Sequence, residues 1–167
     1  MKIHLKLTNS LFDEITAHLR RPHPVAFERV GFVACAGGNA PDGIVLLGRS
    51  FHPVLDDDYE ADELVGARIS SRAIQSALAI AYNQALSMLF VHAHEHPGKP
   101  HPSRVDVDCW QELIPNFWHV RPELPHGGLI LSDDNAMGTI WVPNQTKVFP
   151  ISKFTVVGRQ LRRWSEG

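Results

Sequence analysis

The chain reads as one α+β domain over residues 1–167, on three observations. Stretches with a helical apolar period alternate with stretches that have a strand period. Its 167 residues fit one domain and can bury a substantial core. No internal repeat, low-complexity tract or interdomain linker breaks the pattern.

Lys2, His4 and Lys6 alternate with Ile3, Leu5 and Leu7, which predicts a half-buried opening strand. Ser10 to Arg20 puts Leu11, Phe12, Ile15 and Leu19 on one helical face, with Thr8, Asn9 or Ser10 as cap and Pro22 and Pro24 as the stop. Two strands are expected at 27–36 and 43–52, an antiparallel hairpin joined by a turn over Gly37–Gly43. Residues 56–63 hold six acids in eight positions and read as an exposed loop. A second helix runs from Ser70 or Ser71 to about Gln84, burying Ile74, Ala77, Leu78 and Ala81. Ser87 to His94 is almost wholly apolar, as suits a central strand covered on both faces. Three prolines and a glycine make Glu95–Pro102 a loop. A third helix starts at Ser103, with Pro115 near its end. Strands follow at about 128–132, 138–142 and Ile151–Val157, and then a short basic end with Arg159, Arg162 and Arg163 beside Trp164.

Hydrophobic residues make up 44% and charged residues 20%, an ordinary globular balance. A net charge of −2 and a pI near 6.5 argue against a general nucleic-acid binder. No apolar stretch is long enough to span a bilayer, so no membrane role is expected. Met1–Lys6 has scattered charge and no apolar signal core, which predicts a cytoplasmic protein. Cys35 and Cys109 are expected as free thiols outside any ligand pair.

Chemistry concentrates in the histidines. Of ten, His92, His94, His96, His101 and His119 fall within 28 residues. His92 and His94, one residue apart on a strand, share a face, with Cα atoms about 7 Å apart. Ser103-Arg104-Val105-Asp106 follows after eight residues and brings a carboxylate at a helix start. Two imidazoles and one carboxylate leave a fourth tetrahedral position open, the layout of a catalytic zinc. Ser103-x-x-Asp106 is also a capping-box variant, and one oxygen of Asp106 can hardly cap and bind metal at once. His96 extends the alternation toward a histidine-triad nucleotide hydrolase, although Glu95 and Pro97 occupy two slots that are apolar in that motif. A metallo-β-lactamase would need an Asp-His pair after the second histidine, where Glu95-His96-Pro97 stands. An amidohydrolase barrel needs about 250 residues. For the general base that hydrolysis requires, Glu14, Glu28, Glu95 and Glu112 are all available.

In these residues the chain resembles the JAMM (MPN+) metalloproteases. Their signature is an upstream Glu, His-Ser/Thr-His, about seven residues, and Ser-x-x-Asp. Here it reads Glu28, His92-Ala93-His94, eight residues, Ser103-Arg104-Val105-Asp106, with Glu28-Arg29-Val30-Gly31-Phe32-Val33 matching the family's Glu-x-x-Gly strand. The likeness covers roughly residues 10–142. Three departures are Ala93 in the Ser/Thr slot, a loop one residue longer before Ser103, and Cys35 where many members have glycine. Inactive scaffold members of the MPN family lack the ligands that this chain keeps.

The resemblance implies a single MPN/JAMM-like domain with a mixed, curved sheet flanked by helices. It implies one Zn2+ on His92, His94 and Asp106, Glu28 as the base that shuttles a proton from water to the leaving amine, and Ser103 as oxyanion donor. The implied substrate is a peptide or isopeptide bond after the C-terminal tail of ubiquitin or a ubiquitin-like protein. Cleavage there matures a precursor or removes the modifier, in company with E1- and E2-like enzymes and in some systems in antiphage defence. The alternatives are the histidine-triad enzyme and a non-catalytic MPN-type binding module. The acidic stretch 56–63 reads as a solvated loop or as a reader of a basic patch on the modifier. Trp110, Phe117 and Trp118 read as core or cleft-wall aromatics.

Overall fold

The N-terminal alternation forms β1 (Lys2–Thr8), and Thr8 then caps α1 (Asn9–Leu19), its Oγ1 accepting from Leu11 N–H at 3.3 Å. The computed structural model describes residues 1–62 and 66–158, and the backbone of 162–165. Leu11, Phe12, Ile15 and Leu19 are buried as expected. The hairpin is longer than predicted: β2 (Val30–Ala40) and β3 (Gly43–Pro53) pair up to Ala40↔Gly43, leaving only Pro41-Asp42 as the turn. Gly37 and Gly38 look like turn residues, yet they sit in the ladder opposite Leu46 and Val45. β2 also starts later than expected, because the N–H groups of Phe27 and Glu28 bond the Gly66 carbonyl instead of a strand.

The acidic stretch is exposed at Asp56, Asp57 and Glu60 as expected, but it is ordered rather than a plain loop. Asp56–Asp58 forms a 3-10 turn, and β4 (Tyr59–Glu60) pairs antiparallel with β5 (Arg68–Ile69). Asp58 is buried and accepts from Ser70 Oγ (2.8 Å) and Arg72 Nε (2.6 Å). Asp56 meets the buried Arg29 at 2.6 Å, and Arg68 meets Glu60 and Asp62 at 3.3 and 3.0 Å. The acids thus moor this segment to its own protein; Glu63 lies outside the described residues.

α2 (Ser71–Gln84) is capped by Ser70 and ends at Ala85, whose φ of 51° is left-handed. Ala73, Ala77 and Ala81 are its buried stripe, with Ile74 and Leu78 packed beside them. β6 (Ser87–Ala93) leads to α3 (Arg104–Val120), which runs past Pro115 rather than ending there. Pro115 and Gln111, whose carbonyl loses its helical partner, are both exposed, while neighbouring Ile114 and Phe117 are fully buried. Packing outweighs the missing bond.

β7 (His126–Leu131), β8 (Ala136–Trp141), β9 (Phe149–Pro150), β10 (Lys153–Val157) and β11 (Arg162–Ser165) complete the chain. Among the described residues one nine-stranded sheet has the order β11-β10-β1-β3-β2-β6-β7-β8-β9, with β1–β3, β1–β10 and β6–β7 parallel. β9 and β10 are consecutive yet lie far apart in that order. Between them Ile151 N–H bonds Gly138 O at 2.8 Å and Ser152 N–H bonds Ile3 O at 2.9 Å, so the sheet curls until β8 and β1 approach. Ile3, Leu5, Leu89, Val91 and Leu129 fill the curl with α1. Phe32, Phe90 and Ile130 face α2 and α3 on the other side. Trp110 of α3 lies so close to β7 that a Cβ on Gly128 would overlap its indole. The class is α+β with a curled mixed sheet between helices. Arg159 lies outside the described residues, and Arg162, Arg163 and Trp164 are described in backbone only. No helix among the described residues is long and apolar enough to cross a membrane.

His126, fully buried on β7, carries a pH dependence. Its Nδ1 accepts from Met88 N–H at 3.0 Å and its Nε2 faces Arg121 O at 3.3 Å, which describes a neutral ring. Burial lowers its pKa from 6.5 to about 4. The unfolded chain therefore binds more protons in that window. Stability should fall as pH drops through it, by up to about 3 kcal/mol. Denaturant titrations between about pH 7 and about pH 4 check this: His126→Gln should flatten the slope, and an unchanged slope would refute the assignment.

Candidate metal centre

The site forms where β6 ends, β2 begins and α3 starts. Along β6, Leu89 and Val91 face α1 while Met88 and Phe90 face α2 and α3, and this parity carries His92 to the second side. His94 lies one residue past the strand, but its N–H still bonds Leu131 O at 2.8 Å, so the alternation continues. Val30 pairs with His92, and Glu28, two residues earlier, falls on the same face.

His92 Nε2 and His94 Nε2 stand 3.1 Å apart. Asp106 reaches both, with Oδ1 at 3.2 Å from His92 Nε2 and Oδ2 at 3.8 Å from His94 Nε2. Glu28 Oε2 lies 3.9 Å from His92 Nε2. Glu28, His92 and His94 each offer a ligand atom within 4.8 Å of the others, a possible metal-binding triad. Around a tetrahedral ion with bonds of about 2.0–2.1 Å, ligand atoms stand about 3.3 Å apart. The two imidazoles, and His92 with Asp106 Oδ1, stand at that spacing; the approach of Asp106 to His94 runs through Oδ2 at 3.8 Å, about as far as Glu28 Oε2 lies from His92.

His92 is 2% exposed. Glu28 Oε2 is buried without a hydrogen-bond partner, an arrangement that a cation or an ordered water would complete. Burial raises the Glu28 pKa, partly offset by the charge of His92 and reinforced by Asp106. For Asp106 burial pushes upward, but the hydrogen bond and charge of His92 and the Ser103 N–H outweigh it and hold the carboxyl at about 2. Burial also lowers the pKa of His94, with the charge of His92 adding and Asp106 opposing.

The capping box and the cluster do not compete, because Asp106 divides its oxygens. Oδ2 accepts from Ser103 N–H at 2.6 Å, and Oδ1 turns to His92. Ser103 Oγ accepts in return from Asp106 N–H at 3.1 Å, so Ser103 meets the cluster through Asp106. His96 is exposed and its Nδ1 lies 2.9 Å from Pro97 O. Glu14, Glu95 and Glu112 are exposed, and of the four glutamates only Glu28 is paired with His92. Ala93 packs toward the α1 core. Cys35 and Cys109 are free, and burial pushes their thiols up to about 12 and about 11.

A cleft of about 580 Å³ opens beside Glu28 and His94, walled by Leu19, Arg20, Arg21 and Phe27. A smaller cavity of about 240 Å³ under α2 is lined mainly by apolar side chains such as Phe32, Val54, Ala77 and Ile80. Sequence reasoning passed over two residues that shape the site. Arg29 is 2% exposed and holds the carbonyls of Arg21 and Pro22 as well as Asp56; a basic residue beside Glu28 at the start of an apolar strand was its only signal. Gly66 covers Glu28 and had no signal in the sequence.

No protein-family model matches this chain, and no curated protein matches it.

Ser103→Ala separates cap from cluster. Losing the cap should cost about 1 kcal/mol in denaturant unfolding. Metal stoichiometry by calorimetric titration should stay unchanged, since both imidazoles and Asp106 Oδ1 remain. Loss of metal binding in this variant would mean that the cap, not the ligands, holds Asp106 in place.

Proposed function

We propose that this chain is a zinc-dependent hydrolase of the JAMM (MPN+) type, cleaving a peptide or isopeptide bond after the C-terminal tail of ubiquitin or a ubiquitin-like protein. One observation carries the reading: His92 and His94 face each other at 3.1 Å with Asp106 Oδ1 at 3.2 Å from His92, and beside them lies the buried, unpartnered Oε2 of Glu28. His92, His94 and Asp106 would hold the ion. When bound, Zn2+ there lowers the pKa of a coordinated water to about 7 and polarises a carbonyl.

The chain's own groups do the rest. Glu28, buried enough to have a raised pKa, takes a proton from the attacking water and delivers it to the leaving amine. Asp106 stays ionised throughout the working range, as a ligand must. Ser103 Oγ accepts from Asp106 N–H, which leaves its hydroxyl proton to donate to the tetrahedral oxyanion. The cleft beside Glu28 and His94 takes an extended tail, paired by strand addition. Maturation of a precursor or deconjugation in a cytoplasmic system with E1- and E2-like enzymes, including an antiphage one, suits this activity. The histidine-triad alternative has less support, since His96 is exposed, lies outside the Glu28-His92-His94 group and turns its Nδ1 to Pro97 O.

Zinc-dependent cleavage of linear ubiquitin-like fusions tests the proposal. Glu28→Gln should keep one zinc per chain and lose about 10²–10⁴-fold in turnover, whereas His92→Ala and Asp106→Ala should lose the metal. Near-normal turnover by Glu28→Gln would refute the assigned base. Full activity after chelation would refute the metal mechanism, and zinc-loaded protein that binds fusions without cutting them would leave a binding module.

A further inference from the structure

Gly66 touches Glu28 in two ways. Its carbonyl accepts from two successive N–H groups, those of Phe27 (2.9 Å) and Glu28 (3.1 Å). A Cβ built on Gly66 would overlap Glu28 Oε1, and its next nearest atoms are Cδ and Cγ of the same side chain. The contact is one of space rather than of backbone conformation, since Gly98 is the glycine with positive φ among the described residues, and a Cβ at Gly66 would have to displace the Glu28 carboxylate. Bare backbone thus covers Oε1 while Oε2 faces His92.

The surroundings keep Gly66 in register with Glu28. β4 and β5 pair through Tyr59↔Ile69 and Glu60↔Arg68, and Ser70 N–H bonds Asp58 O at 2.8 Å. On the other side of Glu28, Arg29 is clamped to Asp56 and to the carbonyls of Arg21 and Pro22. Glu28 is held from before and behind, with Oε1 under Gly66, Oε2 toward His92 and the cleft open beside it.

We propose that Gly66 is a positioning residue for Glu28, fixing its main chain by hydrogen bonds and its carboxylate by the absence of a side chain. The catalytic meaning of this contact rests on the hydrolase reading; the steric lock does not.

A two-by-two set of wild type, Gly66→Ala, Glu28→Ala and the double variant tests the lock by thermal unfolding without metal. Gly66→Ala should lower Tm by at least about 3 °C in the wild-type background. In the Glu28→Ala background, where the three nearest atoms are gone, it should lower Tm by less than about 1 °C. Equal losses in both backgrounds would overturn the proposal. If Gly66→Ala fails to fold and the double variant folds, the lock stands; if neither folds, it falls. In the fusion assay, zinc-loaded Gly66→Ala should keep one metal per chain and a KM within about twofold, and lose at least about tenfold in kcat. Loss of zinc, or a change in KM alone, would overturn the positioning role. Wild-type protein that cuts no fusion would refute the hydrolase reading and leave the Tm cycle to decide the lock.

Discussion

Val30 pairs with His92 across the β2–β6 ladder, and on a strand every second side chain shares a face. A slip of one residue would send His92 and His94 into the α1 core and turn Glu28 away from them. The apolar alternation of Leu89 and Val91 against Met88 and Phe90 forbids that slip, because it would also move four large side chains between the two cores. The chemistry is therefore held in place by hydrophobic burial on both faces of β6. Asp106 then arrives from α3, whose distance from the sheet is set by Trp110 lying against Gly128.

Two carboxylates in this centre are pushed in opposite directions. Glu28 is raised chiefly by burial, and Asp106 is held at about 2 by His92 and the Ser103 N–H despite burial. Such a separation lets neighbouring acids take different roles, one accepting and releasing a proton and the other remaining charged. The capping box contributes to it, since a carboxylate that accepts a backbone N–H is harder to protonate. One residue thus serves the helix start through Oδ2 and meets His92 through Oδ1.

Much of this was legible in the residues. Periodicity gave the helices and the strand that bears the imidazoles, and spacing put His92 and His94 on one face, because both depend on local geometry that repeats along the chain. Errors arose where tertiary contacts overrule local preference. Gly37-Gly38-Asn39 resembles a turn but finds ladder partners across the hairpin. The acids of 56–62 look like a solvated run until Arg29, Arg68 and Arg72 are folded against them. The choice of Glu28 among four glutamates came from family resemblance, not from the residues, and Gly66 became visible only through an overlap that no pattern encodes.

The closing of the curl sets an order of assembly. Ile3 and Ser152 meet across 149 positions, so β1 must wait for its β10 neighbour until nearly the whole described chain exists. Such distant pairing slows folding. The residues of the metal centre, Glu28 to Asp106, are by contrast all made well before that strand. During synthesis the β2–β6 pairing that sets His92 opposite Val30 can therefore form while one flank of β1 is still unpaired.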